Sequence, residues 1–369
     1  MAGSVRSPYE AVASIIACDS ISNGEEVLLL EAEFAEYLNV SSDEVVATNS
    51  GTAALTVALI ASGVKPGDEV IVPAFGFSAA TLAVLAAGAT PVLADVCRGT
   101  RTLRAESVNE MFTASTTAVI AIDTDGAIAD FDALRAVTER LNLLLIEDAA
   151  PAIGSYHDGY HAGTFGDVGT FSLNWTKILS AGEGGFCVFK DKRAAKDARA
   201  VIRYGESNVW AERRAATFPI AGNYKMPALS AAFCRSNLTR LEVDAIDGRV
   251  AGHVLDNGLK DCAFMSPPKR AMSTVPCWHK YRAHLKEGVT RADAERMLAR
   301  RGVPHTTAEM LPIRMHPAFE KLVVQGHCPN ADAVIPTSVV LGDRARPVRK
   351  WSVLEVESYV SRLTEEVAA

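Results

Sequence analysis

No apolar run in the chain approaches the roughly 20 residues needed to cross a bilayer, so no membrane span is expected. The one short apolar stretch near the start, Ala11 to Cys18, is flanked by Glu10 and Asp19 where a secretion leader would carry basic residues. A soluble, cytoplasmic protein is expected. Cysteine has no usable pattern: the seven thiols, at 18, 97, 187, 234, 262, 277 and 328, are odd in number and nowhere spaced C-x-x-C. That argues against a disulfide framework or a thiolate metal site. Histidine forms no metal-ligand cluster either, and His157 with His161 sits in a Gly-rich stretch that reads as a turn rather than a helix face. Positive charge is also short. The net charge of -7 excludes a broadly basic surface for nucleic acid phosphates and leaves room for a small anionic ligand. No repeat or low-complexity segment appears.

What remains is ordinary globular material: hydrophobic residues at 49% and charged residues at 22% fit neither a disordered nor a fibrous class. With 369 residues the chain suits a large domain plus a smaller one. Short β-rich runs at Glu44–Thr48, Glu69–Phe75, Thr90–Val96, Thr117–Ile122 and Asn142–Ile146 alternate with helical stretches at Ala53–Ser62, Ser78–Ala87 and Phe131–Leu141. This βαβα order predicts a three-layer α/β/α domain around a mostly parallel sheet, with ligands outside the carboxyl ends of the strands. Gly169–Leu173 and Phe186–Phe189, with glycines between them, read as an antiparallel pair, so the sheet is expected to be mixed. A helical stretch runs from about Pro227 to Asp247, and prolines at 267, 268, 304, 312 and 336 interrupt the remainder of the chain. The expected division is a large domain over 1–240 and a smaller α+β domain over 241–369.

Four places carry chemistry. Thr48-Asn-Ser-Gly-Thr52 is a polar turn between a strand and a helix. Amides at a helix start, with the Thr52 hydroxyl, suit a phosphate, although Ser50 or Thr52 reads equally as an ordinary N-cap. Ile146-Glu-Asp-Ala-Ala150 delivers two carboxylates to a strand end, where Asp148 is placed either to pair with a protonated ring nitrogen or to cap a turn. Glu147, the residue before it, faces the other way and is expected to be structural or solvated. Phe171-Ser-Leu-Asn-Trp-Thr-Lys177 carries a lysine out of an apolar strand into a glycine-rich turn. Desolvation there would lower its pKa and make a Schiff-base amine, whereas a surface lysine is the bland alternative. Ser172 is placed to add a hydroxyl. Gly222-Asn-Tyr-Lys-Met226 leads into a helix with Pro227 at its first turn, and Asn223 and Tyr224 read either as that turn or as groups meeting a neighbouring subunit's ligand.

Taken in order, the motifs S-G-T-A-A-L (50–55), G-D-E-V-I-V-P (67–73), E-D-A-A (147–150), G-T-F-G-D (163–167), F-S-x-x-x-T-K (171–177), G-E-G-G (182–185) and G-N-Y-K-M (222–226) resemble the DegT/DnrJ/StrS aminotransferases, makers of amino sugars and aminocyclitols. The resemblance is strong between Ala47 and Leu241 and thins in the C-terminal third. It implies the pyridoxal-phosphate transferase fold of type I, and it implies roles. Lys177 would hold pyridoxal 5'-phosphate and shuttle the proton; Asp148 would pair with the pyridinium. Gly51, Thr52 and Ser172 would bind the phosphate, Phe77 would stack on the ring, and Asn223 would reach the phosphate of a partner subunit in a homodimer. The bland reading of Phe77 is core packing. An amino donor, L-glutamate or L-glutamine, would load the cofactor, which would then aminate a keto sugar, expected to be nucleotide-linked. A cyclitol ketone or another small keto compound is the second reading, and a noncatalytic protein on the same fold the third. Lys177 speaks against the dehydrating branch, which carries histidine there. The chain departs from the pattern at Pro151, where glutamine is usual, at Asp123-Thr-Asp-Gly126 in place of a His-containing turn, at Gly76 and at Lys225. Arg314, near Pro312 where histidine is common, is a candidate for a substrate carboxylate or phosphate or an ordinary surface residue.

Overall fold

Strands that are buried on both faces read as continuous apolar runs, and that is how the first half of the chain is built. The computed structural model describes residues 7–17, 21–22, 24–206, 218–307, 311–343 and 346–365, so Cys18 lies outside the described residues. Helices α1 (Pro8–Ala17) and α2 (Glu25–Leu38) lead into β1 (Val45–Thr48) and α3 (Gly51–Ala61). The alternation continues through β2 (Glu69–Pro73), α4 (Ala79–Ala86), β3 (Thr90–Ala94), α5 (Ala105–Met111), β4 (Thr116–Ile122) and α6 (Phe131–Leu141) to β5 (Leu144–Asp148). A hairpin of β6 (Tyr156–His157) and β7 (Tyr160–His161) comes next, so both histidines flank a tight turn as expected. Then come β8 (Val168–Ser172), β9 (Gly185–Phe189) and α7 (Lys192–Val201).

The main sheet has eight strands in the order β1-β9-β8-β5-β4-β2-β3 plus a short strand at Val324–Gln325. Only β9 runs against the others, so the sheet is mixed and mostly parallel. Successive residues of each strand feed opposite layers: Val70, Val72, Ile120 and Ile146 join α3, α4 and α7 on one face. Ile71, Val119, Ala121 and Leu145 join α2, α6 and α8 (Ala228–Leu238) on the other. Each valine, isoleucine and leucine among them contributes roughly 1.5–3 kcal/mol of burial. On the second face Phe34 stacks on Phe186 with centroids 4.1 Å apart and meets Phe171 edge-on at 5.1 Å.

Three local expectations shift. The strand expected at Asn142–Ile146 lies two residues later, because Asn142 takes a left-handed conformation (φ 52°) that closes α6. The helix that ought to begin at Ala53 begins at Gly51, so the polar turn is itself the helix start. The single helix expected from Pro227 to Asp247 is two, α8 and α9 (Leu241–Gly258). At the break the Thr239 hydroxyl donates back to the Ser236 carbonyl (2.8 Å).

Beyond α9, a four-stranded sheet of Met265–Ser266, Tyr281–Leu285, Ser338–Leu341 and His305–Thr306 is antiparallel throughout. It encloses its own core around Trp278, Tyr281 and Trp351 with α9. The chain does not leave the large layers for good at residue 240. Val324 and Gln325 extend the main sheet beside β3, and Ile313, Phe319, Ala331 and Val334 pack into its core.

Glu147 fixes the loop between β7 and β8. It is fully buried, and its carboxylate accepts the amides of Gly163 (2.5 Å), Phe165 (2.7 Å) and Gly166 (3.0 Å). Asp123, also fully buried, accepts from the Ala129 amide (3.0 Å) on one oxygen and finds no donor for the other among the described residues. That second oxygen adjoins Glu147, and two carboxylates bond only when one carries a proton. Burial and the neighbouring Glu147 charge hold Asp123 well above the ordinary aspartate value.

The packing and the buried acids each have a measurable effect on stability. A methyl group on Gly169 would lie 1.9 Å from the Gly163 carbonyl oxygen, so Gly169→Ala should cost at least about 3 kcal/mol by urea denaturation, the upper range of overpacking. Asp123 binds a proton more tightly when folded, so it favours folding at acid pH. That contribution fades as pH rises from 3.8 through the displaced folded value. Asp123→Asn keeps a donor toward Glu147 without titrating. Its melting temperature relative to wild type should climb between pH 5 and 9, and a pH-independent difference would refute the shared proton.

Candidate functional site

The carboxyl ends of β1, β2, β4, β5 and β8 open on one edge of the sheet, and the candidate residues lie at or just beyond the ends of β1, β2, β5 and β8. After β1, Ser50 caps α3 by accepting the Ala53 amide on its hydroxyl (3.1 Å). The amides of Gly51 and Thr52, at the first turn, have no partner among the described residues. A Cβ on Gly51 would sit 2.7 Å from Cβ of Ser172, so the end of β8 lies against the start of α3 and brings a second hydroxyl to these amides. Unused amides, two hydroxyls and the positive end of an 11-residue helix fit a phosphate ester.

Asp148 ends β5 on the face opposite Glu147, as strand alternation requires. One oxygen accepts the Ala150 amide (3.1 Å), and burial pushes the carboxyl up to about 6. Lys177 closes the turn after β8: its amide donates to the Asn174 carbonyl (2.8 Å), and the Asn174 side chain accepts from both the amide and the hydroxyl of Thr176. The glycine run holds this turn from the other side, since Leu173 donates to Gly184 and Trp175 to Gly182 (both 2.9 Å). Part of the Lys177 side chain reaches the surface, but dense protein surrounds its ammonium. Desolvation therefore lowers its pKa to about 8, Asp148 opposing and Arg349 assisting the shift.

The opposite displacements carry an energetic meaning. Two units or so on each group amount to roughly 3 kcal/mol of unfavourable charge burial apiece. A ligand bringing a cation to Asp148 and a carbonyl to Lys177 would relieve both. An aromatic ring with a basic nitrogen, an aldehyde and a phosphate, as in pyridoxal phosphate, fits the residues present.

The other expected residues fall into two groups. Phe77, at the end of the β2–α4 loop, is 65% exposed, which removes core packing as its role. Asn223 is also exposed; its carbonyl accepts from the Asn49 side chain (3.0 Å), and its side-chain oxygen accepts from Lys225 (2.6 Å). It therefore stands at the rim of the phosphate turn. Arg314 is engaged elsewhere: its guanidinium forms a two-pronged pair with Asp332, Nε at 2.6 Å.

Three residues were not singled out in the sequence: Cys277, His279 and Arg349. With Lys177, Ala150, Pro151, Ile153 and Ile178 they line a small cleft. Burial and the nearby cations Lys177, Arg349 and Lys280 hold His279 well below its ordinary range, hence neutral. Arg349 is buried (8% exposed), and its guanidinium donates to the carbonyls of His279 (3.3 Å) and Thr176. Nothing local in the sequence marks these positions, which arrive from the smaller domain. Among the described residues no group of three or more His, Cys, Asp or Glu is placed to hold a metal ion, and no helix is long and apolar enough to cross a membrane.

Comparison with known proteins agrees with this geometry. GDP-perosamine synthase of Caulobacter vibrioides is 33% identical over 271 residues, covering 73% of this chain and 71% of that protein. Among solved structures, DesV of S. venezuelae in complex with a ketimine intermediate superposes with a TM-score of 0.86 at 29% identity, covering 98% of this chain and 95% of that one. 3-Amino-5-hydroxybenzoic acid synthase superposes with a TM-score of 0.86 at 27% identity, covering 97% and 95%. The family model for DegT/DnrJ/EryC1/StrS aminotransferases matches residues 6–346, and the chain belongs to that family of enzymes.

Proposed function

We propose that this aminotransferase holds pyridoxal 5'-phosphate on Lys177 and moves an amino group from L-glutamate or L-glutamine to the ketone of a sugar, nucleotide-linked, in secondary-metabolite or glycan biosynthesis. The observation that carries the reading is the placement of Lys177 and Asp148 at adjoining strand ends with their pKa values displaced in opposite directions. When bound, the cofactor ring withdraws electrons from the carbon that loses its proton. The Lys177 amine, neutral in a useful fraction at physiological pH, takes that proton at Nζ and returns it to the adjacent carbon. Asp148 would keep the ring nitrogen protonated, while Gly51, Thr52 and Ser172 would hold the phosphate. Phe77, exposed at the same edge, is available to stack on the ring.

The resemblance to GDP-perosamine synthase supports a nucleotide-linked acceptor. The exposure of Asn223 at the rim of the phosphate turn supports a homodimer in which each subunit completes the other's site. The reading places the enzyme in the cytoplasm, where such donors and nucleotide sugars are made. A cyclitol or other compact ketone is the second reading, favoured by the closeness of the Pro151 wall to Lys177.

Borohydride reduction of protein incubated with pyridoxal phosphate should fix the cofactor to Lys177, as read by peptide mass, and Lys177→Ala should carry no adduct there. Only the free amine attacks the aldehyde, and with a pKa of about 8 roughly a tenth is free at pH 7. The rate of adduct formation should therefore rise with pH and level off above about 8; a rate still climbing steeply at pH 10 would mean an ordinary surface lysine. Asp148→Asn should leave the adduct but lower turnover by about 10²- to 10⁴-fold, the usual range for a proton-transfer partner. Because Asp148 is pushed up to about 6, wild-type cofactor affinity should fall as pH drops below that value, while the affinity of Asp148→Asn should not track the same curve.

A further inference from the structure

Arginine carries its charge at every physiological pH, so a buried guanidinium needs an anion or an unusual set of carbonyls around it. Of the other buried arginines, Arg101 and Arg282 share Asp125. Arg349 differs. It is buried, it has no carboxylate within ion-pair distance among the described residues, and its two hydrogen bonds go to main-chain carbonyls. His279 and Arg349 both line the cleft that contains Lys177, and Thr176 immediately precedes that lysine, so two carbonyls take only part of a guanidinium with five N–H donors. Its backbone is held firmly: a Cβ on Gly248 of α9 would lie 3.1 Å from Arg349 Cβ, so helix and arginine are already in contact.

The local charge balance points the same way. Burial first, and then the cations Lys177, Arg349 and Lys280, hold the neighbouring His279 in its neutral form. Asp125 is taken by Arg282 at 2.7 Å, and Asp148 faces the site's ring-nitrogen position. The cleft thus brings the cations Lys177 and Arg349 together with the apolar side chains of Ala150, Pro151 and Ile153.

From this geometry we infer that Arg349 is a carboxylate-binding residue of the active site, gripping a carboxylate of the substrate that sits beside Lys177. The inference deepens the proposed function and rests on it only for Lys177 marking the reacting end of the cleft. The carboxylate has two sources. Every amino-acid donor brings one on the carbon that loses its proton, and a carboxylated ketone would bring one on the acceptor side. Both would form charge-assisted, two-pronged bonds to the planar guanidinium.

The first test needs no turnover. Glutarate and the uncharged glutaramide are titrated calorimetrically into the cofactor-loaded enzyme, into Arg349→Met and Arg349→Lys, and into Arg314→Met as a control. Glutarate should bind wild type and Arg314→Met alike, weaken by about 10- to 100-fold in Arg349→Met, and recover in part in Arg349→Lys, while glutaramide should not respond to the substitutions. Equal binding of glutarate and glutaramide to wild type would overturn the inference even if the variants failed to fold, as would undiminished glutarate binding to a folded Arg349→Met. Absence of a Lys177 adduct, by contrast, would remove the aminotransferase reading without touching the glutarate result. The source is then read from half-reactions of Arg349→Met. A loss confined to L-glutamate assigns the donor carboxylate, and a loss confined to carboxylated cyclic ketones against uncharged inososes assigns the acceptor's. No loss in either, with folding intact, would reduce Arg349 to a clamp on Thr176 and overturn the assignment.

Discussion

Strand alternation at the end of β5 is the constraint on which the site depends. Two acidic residues in succession must face opposite sides of the sheet, and the protein uses both directions. Glu147 turns into the second core layer and collects three amides of the loop at 163–166. Asp148 turns to the opposite face, buried at the carboxyl end of the strand. A carboxylate with three amide donors is satisfied without a counterion, so the loop carries no cation to this point. That loop leads directly into β8, and β8 delivers Ser172 and the turn containing Lys177. The residue beside Asp148 therefore fixes the strand that leads to Lys177.

This dependence explains why so much of the site was legible in the sequence. Lys177, Asp148, Ser172, Gly51 and Thr52 lie within a few residues of strand ends, and a parallel sheet sends all such ends to one edge. Local pattern plus the βαβ rule was enough to gather them. The illegible parts arrive from far away or hinge on one dihedral. Arg349 meets Thr176 across a separation of 173 positions, with no periodicity linking them. Arg314 looked available because its partner Asp332 is 18 positions on, in a short helix that the proline-interrupted text did not suggest. The shift of β5 came from a single left-handed Asn142, and the split of the helix falls at Thr239 and Arg240, where neither glycine nor proline marks it. The alternation argument set Glu147 apart from Asp148, but it could not distinguish a solvated carboxylate from a buried anchor.

The departures from the family pattern also acquire a physical sense. Asp123-Thr-Asp-Gly126 places two carboxyls where a His-containing turn is usual, and both are buried. Asp123 leans on Glu147. Asp125, at φ 60°, joins the two domains: its carboxylate takes Arg282 at 2.7 Å and Arg101 at 3.9 Å, and its carbonyl accepts the amides of His279 (2.9 Å) and Lys280 (3.2 Å). Arg101 lies beyond β3, whereas Arg282 lies in the smaller sheet, and the Arg101 guanidinium also donates to the Arg282 carbonyl (3.1 Å). Such a network is costly to bury and hard to rearrange, since removing one member strands the others.

That rigidity bears on the chemistry. The segment Cys277–Lys280 hangs from Asp125 by its backbone, so the His279 carbonyl that orients Arg349 is fixed by the same joint that ties the sheets together. Because the Asp125 carboxylate is spent on two arginines, it cannot also neutralise Arg349. Pulling the smaller domain away would expose Lys177 to water and return its pKa toward the ordinary value, since desolvation is the largest cause of the shift. The amine's reactivity and the positive wall beside it are therefore set together, by one interdomain contact, before any ligand binds.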